Sequence, residues 1–171
     1  MIILHTNHGD ITIELDAASA PKSVANFLEY VKAKHYDGTQ FHRVIPNFMI
    51  QGGGFTPEFQ HNPTKPPVPI ESEQSSKAGL LNVPGTLAMA RTGDPNSATA
   101  QFFINVNDNK FLNYRSSDPQ GYGYTVFGKV VSGMDVVDKI AKTMTASGGP
   151  FPKDVPVEKV IITKAVVVDA K

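Results

Sequence analysis

Residues 41–54 read FHRVIPNFMIQGGG. Aromatic and β-branched residues dominate 40–50, and Pro46 and Asn47 interrupt them, so the stretch predicts two β-strands meeting at a bend, with Gly52, Gly53 and Gly54 ending the second. On the N-terminal side, residues 2–6 and 11–15 are apolar and β-branched around Asn7-His8-Gly9-Asp10, which predicts a β-hairpin. Ser19 is placed to cap a helix with Pro21 in its first turn, running to about residue 34. Val24, Phe27, Leu28 and Val31 recur at spacings of three and four and form its apolar face.

On the C-terminal side, Pro57, Pro63, Pro66, Pro67 and Pro69 fall among polar residues, so 56–76 reads as a long surface loop with one short extended segment at 68–71. Strand-like runs follow at 85–90, 100–105 and 124–131. A second helix is expected over 132–143, with Met134, Val137, Ile140 and Ala141 on one side, then a Gly/Pro loop and a final strand over 157–168. This density of short strands and turns argues for a closed barrel or a sandwich over an α/β sheet. Nothing in 1–171 divides the chain, so one domain is expected.

Composition excludes several functions. Sixteen basic and sixteen acidic residues cancel, so no global field draws in nucleic acid or an anionic membrane. There is no cysteine, which removes disulfides, thiolate catalysis and cysteine-ligated metals. The run Ile2-Ile3-Leu4 is too short for a signal-peptide core, and no stretch approaches the ~18 apolar residues of a membrane span, so the expected address is the cytoplasm.

Common motifs are set aside on chemical grounds. No Lys-Ser/Thr and no helix follows Gly52–Gly54, as a phosphate cradle would need. His5, His8, His35, His42 and His61 lack the spacing of metal ligands, no G-x-S-x-G marks a hydrolase, and Pro63 disqualifies Asn62 as a glycosylation acceptor.

FHRVIPNFMIQGGG closely resembles the signature segment of the cyclophilins, a family of peptidyl-prolyl cis/trans isomerases. LAMART at 87–92, AQFFIN at 100–105 and TVFGKVVSGMDVVDKI at 125–140 resemble further family blocks in the same order, so the resemblance covers nearly the whole chain. It implies an eight-stranded antiparallel β-barrel capped by two α-helices. The NHGD hairpin and the insertion FLNYRSSDPQGYGYTVFG at 111–128 look most like the small cytoplasmic bacterial members.

The family's chemistry is non-covalent rotation of Xaa-Pro bonds, which needs no cofactor and no metal. Matched residue by residue, the resemblance implies Arg43 as the catalytic group. Phe48, Met49, Phe103 and Leu112 are implied as the apolar floor for a proline ring, with Phe111 and Tyr124 beside them. Gln51 and Gln101 are implied to contact substrate backbone or orient Arg43, and Ala90 and Arg91 to line the groove. Outside such a setting a lone arginine is most simply a solvated side chain, and a lone phenylalanine ordinary core.

His42 is expected to face away from the groove, because neighbours alternate along a strand. Many family members carry Trp in place of Phe111 and His in place of Tyr124. Loss of the indole N–H implies weakened affinity for the inhibitor cyclosporin. Implied partners are proline-containing peptides and unfolded or folded polypeptides, met by a monomer. The competing reading is a proline-peptide binding or chaperone module with little catalytic role. A third, a purely structural barrel, predicts no peptide binding.

Overall fold

Alternation builds the first hairpin. Strands β1 (Ile2–Thr6) and β2 (Gly9–Leu15) pair antiparallel with Ile2 opposite Ile13 and Leu4 opposite Ile11, and all four side chains are buried. Their partners on the other pleat face outward. In the computed structural model, which describes residues 1–118 and 120–168, this hairpin is one edge-to-edge segment of a closed barrel. Pro119 of the 111–128 insertion and residues 169–171 of the expected domain lie outside the described residues.

The remaining barrel strands are β3 (Thr39–Ile45), β4 (Met49–Phe55), β5 (Thr86–Met89), β6 (Phe102–Asn105), β7 (Val126–Ser132) and β10 (Ile161–Val167). All pairs are antiparallel, and the strands close in the order β1-β10-β3-β4-β6-β5-β7-β2. Closure leaves no barrel edge to template pairing with another chain. The interior is filled rather than hollow: Phe27, Phe41, Phe102 and Phe127 are fully buried with Leu4, Ile11, Ile50 and Leu87. Helices α1 (Pro21–Lys32) and α3 (Met134–Ala141) supply Phe27, Val31, Val137 and Ile140 to this cluster.

Several expectations are corrected. The three glycines do not end a strand, because β4 runs through them to Phe55. A Cβ on Gly52 would lie 2.8 Å from the Gln40 carbonyl oxygen, and Gly53 adopts φ +93° with the Tyr36 ring where its Cβ would be. The glycines mark close backbone approach. The predicted strand at 68–71 is reduced to a single bridge, Val68 to Ala98. The segment after it forms a short third helix, α2 (Ser72–Lys77), beyond the two implied by resemblance. Finally, the Gly/Pro stretch after α3 is a separate hairpin, β8 (Thr145–Gly148) and β9 (Phe151–Pro156), with β9 lying against β3.

Ser19 does not cap α1. The N-cap position is Ala20, with no side-chain bond of its own, and the carboxylate of Glu71 takes over from 48 residues away. It accepts the backbone N–H of Lys22 at 3.1 Å and of Ser23 at 2.7 Å. Pro21 has no N–H to satisfy, so the start of the helix is left with no open donor before its first internal bond, Val24 N–H to the Ala20 carbonyl. A negative charge here also opposes the helix dipole favourably.

Strand β3 carries a bulge. Phe41 and Val44 both enter the interior cluster although two residues separate them, and the pairing with β4 slips between Phe41 and Arg43. Simple alternation therefore fails here. His42 is driven beneath the β8–β9 hairpin, its ring 4.8 Å from Phe55 and 5.2 Å from Phe151, while Arg43 emerges into solvent. Burial, reinforced by the nearby Arg43 and His61 charges, pushes the His42 pKa down from 6.5 to about 4.

Two stability measurements follow from these contacts. Replacing Glu71 with Ala should cost about 1–2 kcal/mol in denaturant unfolding, as loss of a good helix cap does, and Glu71→Gln, which keeps one acceptor, should cost less. For His42, the unfolded chain takes up a proton near pH 6.5 and the folded chain only near 4. Its contribution is thus complete above about pH 6.5 and is lost as pH falls toward 4, by roughly 3 kcal/mol. Unfolding midpoints across that window should show the decline, and His42→Phe should remove its part of the slope.

Candidate functional site

The pleat that sends Ile50, Phe102, Ile104, Leu87 and Met89 inward sends their neighbours to the outer face of the same strands. There Met49, Phe103, Ala88 and Val126 form a second buried cluster with Leu112, flanked by Ile45, Phe48, Ala90 and Tyr124. Register aligns one row across the strands: Arg43 lies opposite Gln51, Gln51 opposite Phe103, Phe103 opposite Ala88, and Ala88 opposite Val126. A cation, an amide and an apolar floor are thereby set side by side by backbone pairing alone.

Loops raise walls around this row. A cleft of about 110 Å³ is lined by Arg43, Phe48, Met49, Gln51, Ala90, Arg91, Phe103, Leu112 and Tyr124. Its size is of the order of the ~150 Å³ apolar cavity that accommodates benzene, so one small ring fits. Met49, Phe103 and Leu112 are buried at its base, and Tyr124 meets Phe103 edge-on at 5.6 Å. Beside it runs a second groove lined by Gln51, His61, Ala90, Arg91, Thr92, Ser97, Thr99 and Gln101.

Nine of the eleven residues singled out from the sequence therefore share one cleft. Gln101 lines the adjoining groove. Phe111 stands outside: it is 63% exposed and touches the cleft only by packing on Phe48, ring centroids 5.6 Å apart.

Polar contacts orient the cation. The Gln51 side-chain amide donates to Gln101 Oε1 at 3.1 Å, and Gln51 Oε1 accepts from Arg43 Nη1 at 3.4 Å. Among the described residues no ion pair involves Arg43, so no carboxylate competes for it. Arg91 is differently engaged. Its Nε and Nη2 donate to the Gly123 carbonyl, its Nη1 donates to the Thr92 carbonyl, and its guanidinium lies 4.6 Å from the Tyr124 ring centre. It braces the loop that carries Tyr124.

A buried asparagine network was not legible beforehand. Asn109 donates to the Phe48 carbonyl and to Asn105 Oδ1; Asn105 donates to Asn82 Oδ1; Asn82 donates to the Leu112 carbonyl. All three are almost fully buried and satisfied by one another, which ties two cleft walls to the barrel. The one signal available was the density of Asn in residues 105–113, which reads equally well as turn chemistry. His61, beside Arg91 in the adjoining groove, was also missed, since nothing in its sequence neighbours distinguishes it.

Known proteins resemble this chain over nearly its whole length. The family model described as cyclophilin type peptidyl-prolyl cis-trans isomerase/CLD matches residues 1–167. A peptidyl-prolyl cis-trans isomerase of Streptomyces antibioticus is 56% identical over 162 residues, covering 95% of each chain. Peptidyl-prolyl cis-trans isomerase B of Escherichia coli strain K12 is 53% identical over 167 residues, covering 98% of this chain and 99% of that one. Among solved structures, a cyclophilin type isomerase of Cryptosporidium parvum, crystallised in the presence of the dipeptide Ala-Pro, matches with a TM-score of 0.75 at 26% identity over 99% of both chains.

Proposed function

Since this chain belongs to the cyclophilin-type peptidyl-prolyl cis-trans isomerase family and accelerates rotation about Xaa-Pro bonds, we propose that Arg43 is its catalytic group and the adjoining cleft its proline pocket. The observation that carries this reading is the row in which an arginine with no ion pair among the described residues sits beside an apolar floor.

Amide conjugation sets a barrier of about 18–20 kcal/mol, while the two Xaa-Pro isomers differ by only about 1 kcal/mol. The rate is the whole problem, and no covalent bond has to be made or broken. As the bond twists, the proline nitrogen recovers a localised lone pair and becomes a hydrogen-bond acceptor, which it is not when planar. A guanidinium N–H aimed at that nitrogen therefore binds the transition state better than either planar state. Its rigid fork and permanent charge suit it to this task better than an ammonium. Phe48, Met49, Phe103, Leu112 and Tyr124 hold the ring so that the preceding residue turns against a fixed partner, Gln51 and Gln101 orient Arg43, and Ala90 and Arg91 border the groove. Lowering the barrier by roughly 7 kcal/mol corresponds to about five powers of ten in rate.

The same reading extends to a single-domain monomer that acts in the cytoplasm on unfolded or folded polypeptides. The balanced net charge and one continuous interior cluster support it. Among the described residues, no helix is long and apolar enough to cross a membrane.

In a protease-free isomerisation assay, Arg43→Ala should lose about 2–4 kcal/mol of transition-state stabilisation, the effect of removing one oriented donor. An Ala-Pro peptide should still shift cleft resonances. A variant that isomerises at the parent rate would overturn the assignment of Arg43 as the catalytic group. For the inhibitor, Phe111 offers a ring but no N–H, so titration with cyclosporin should give a larger Kd than a Trp-bearing relative measured alongside; equal affinity would overturn the assignment of Phe111.

A further inference from the structure

Gly54 lines neither the cleft nor the adjoining groove, yet its missing side chain has a consequence for Arg43. A Cβ built there would lie 2.6 Å from Cγ, Cδ and Nε2 of Gln101. The backbone dihedral of Gly54 is ordinary, so alanine is not excluded by conformation; the space is what is occupied. Gln101 stands directly in the volume that any side chain at position 54 would fill.

Something must move if that volume is filled, and the surroundings decide which part. The Gly54 carbonyl accepts the Asn62 N–H at 3.1 Å, and the Gly53 carbonyl accepts from His35 Nε2 at 3.1 Å. Gly53 is further hemmed in by the rings of Tyr36 and Phe102. The backbone of this segment is therefore pinned on both sides. The Gln101 backbone is pinned as well, its carbonyl accepting the Ala90 N–H at 3.0 Å. Its side chain is not: it borders an open groove of about 230 Å³ into which it can swing.

We propose that Gly54 is a positioning residue for the isomerase reaction: by leaving room for the Gln101 side chain, it holds Gln101 against Gln51 and Gln51 against Arg43. The inference deepens the proposed function and rests on the Arg43 assignment. The relay has two links, Gln51 Nε2 donating to Gln101 Oε1 and Arg43 Nη1 donating to Gln51 Oε1. With Gln101 displaced, Gln51 loses the partner that fixes its amide orientation, and the Arg43 fork loses its brace. Small misplacement of a reacting group costs rate far more than it costs binding.

The test is a double-mutant cycle on the full chain with an Ala-Pro peptide. Gly54→Ala should lower kcat about tenfold, short of the ~100-fold that a full ångström of misplacement can cost, with KM unchanged. Gln101→Ala should lose a similar factor, and adding Gly54→Ala to it should cost nothing more, because the obstructed side chain is already gone. The Arg43 side-chain N–H resonance should shift in Gly54→Ala. The inference is overturned by parental kcat in Gly54→Ala, by a loss confined to KM, by an undiminished further loss in the Gln101→Ala background, or by a Gly54→Ala chain that fails to fold, since the backbone would then be the part that yields. An Arg43→Ala arm separates the two readings. Parental activity there removes the Arg43 assignment itself, whereas its loss beside an active Gly54→Ala removes only the role of Gly54.

Discussion

Backbone pairing across β3, β4, β6 and β5 is the constraint on which the site depends. Each strand contributes one residue to the row from Arg43 through Gln51 and Phe103 to Ala88, and none is placed by a contact that it chose for itself. Slipping any strand by one residue would turn its contribution into the barrel interior. That interior is packed with phenylalanines and aliphatics, so a slip would bury a guanidinium or an amide and expose a core residue. The filled core thus enforces the register, and the register assembles the site on the far face of the same strands.

The bulge in β3 breaks this order between Phe41 and Arg43, and it serves the site. Without the slip between Phe41 and Arg43, strict alternation would set Arg43 on the same pleat face as Phe41, inside the barrel. The extra residue is His42, and its ring needs cover. The β8–β9 hairpin, which takes no part in the barrel ladder, supplies that cover through Phe151. Even so, His42 Nδ1 is left buried without a partner, a cost that the aromatic packing on both sides offsets.

Local patterns were legible in the sequence and remote ones were not. The amphipathic faces of α1 and α3 and the alternation in β1 and β2 repeat within a few residues, so each can be read from its own segment. Glu71 as a cap for α1 and the Asn82–Asn105–Asn109 chain join residues brought together only by closure of the barrel. Gly52–Gly54 misled because glycine serves both chain breaking and close approach, and only the rings of Phe41 and Tyr36 distinguish the two. The β8–β9 hairpin was hidden for a similar reason: Gly149 and Pro150 occupy its turn, while Pro152 and Pro156 lie in a two-stranded ribbon where a missing N–H is tolerated. As for the cleft, the residue types are those of any barrel core. Resemblance, and not composition or periodicity, singled them out.

A closed and filled barrel also settles where a polypeptide can be met. No chain segment can enter an interior occupied by Phe27, Phe41, Phe102 and Phe127, so an extended substrate has to cross the outside. On an open outer face, though, a strand surface is only a shallow corrugation. Depth has to come from the connections, and here Leu112 and Tyr124 rise from the segment between β6 and β7, held by Asn82 below and Arg91 above. The floor is rigid because it belongs to the ladder, and the walls are rigid because buried amides and a guanidinium lock loop to barrel. A catalyst that works by favouring a twisted amide over a planar one gains from this stiffness, since a donor already held in place loses no free energy to reorganisation as the amide twists.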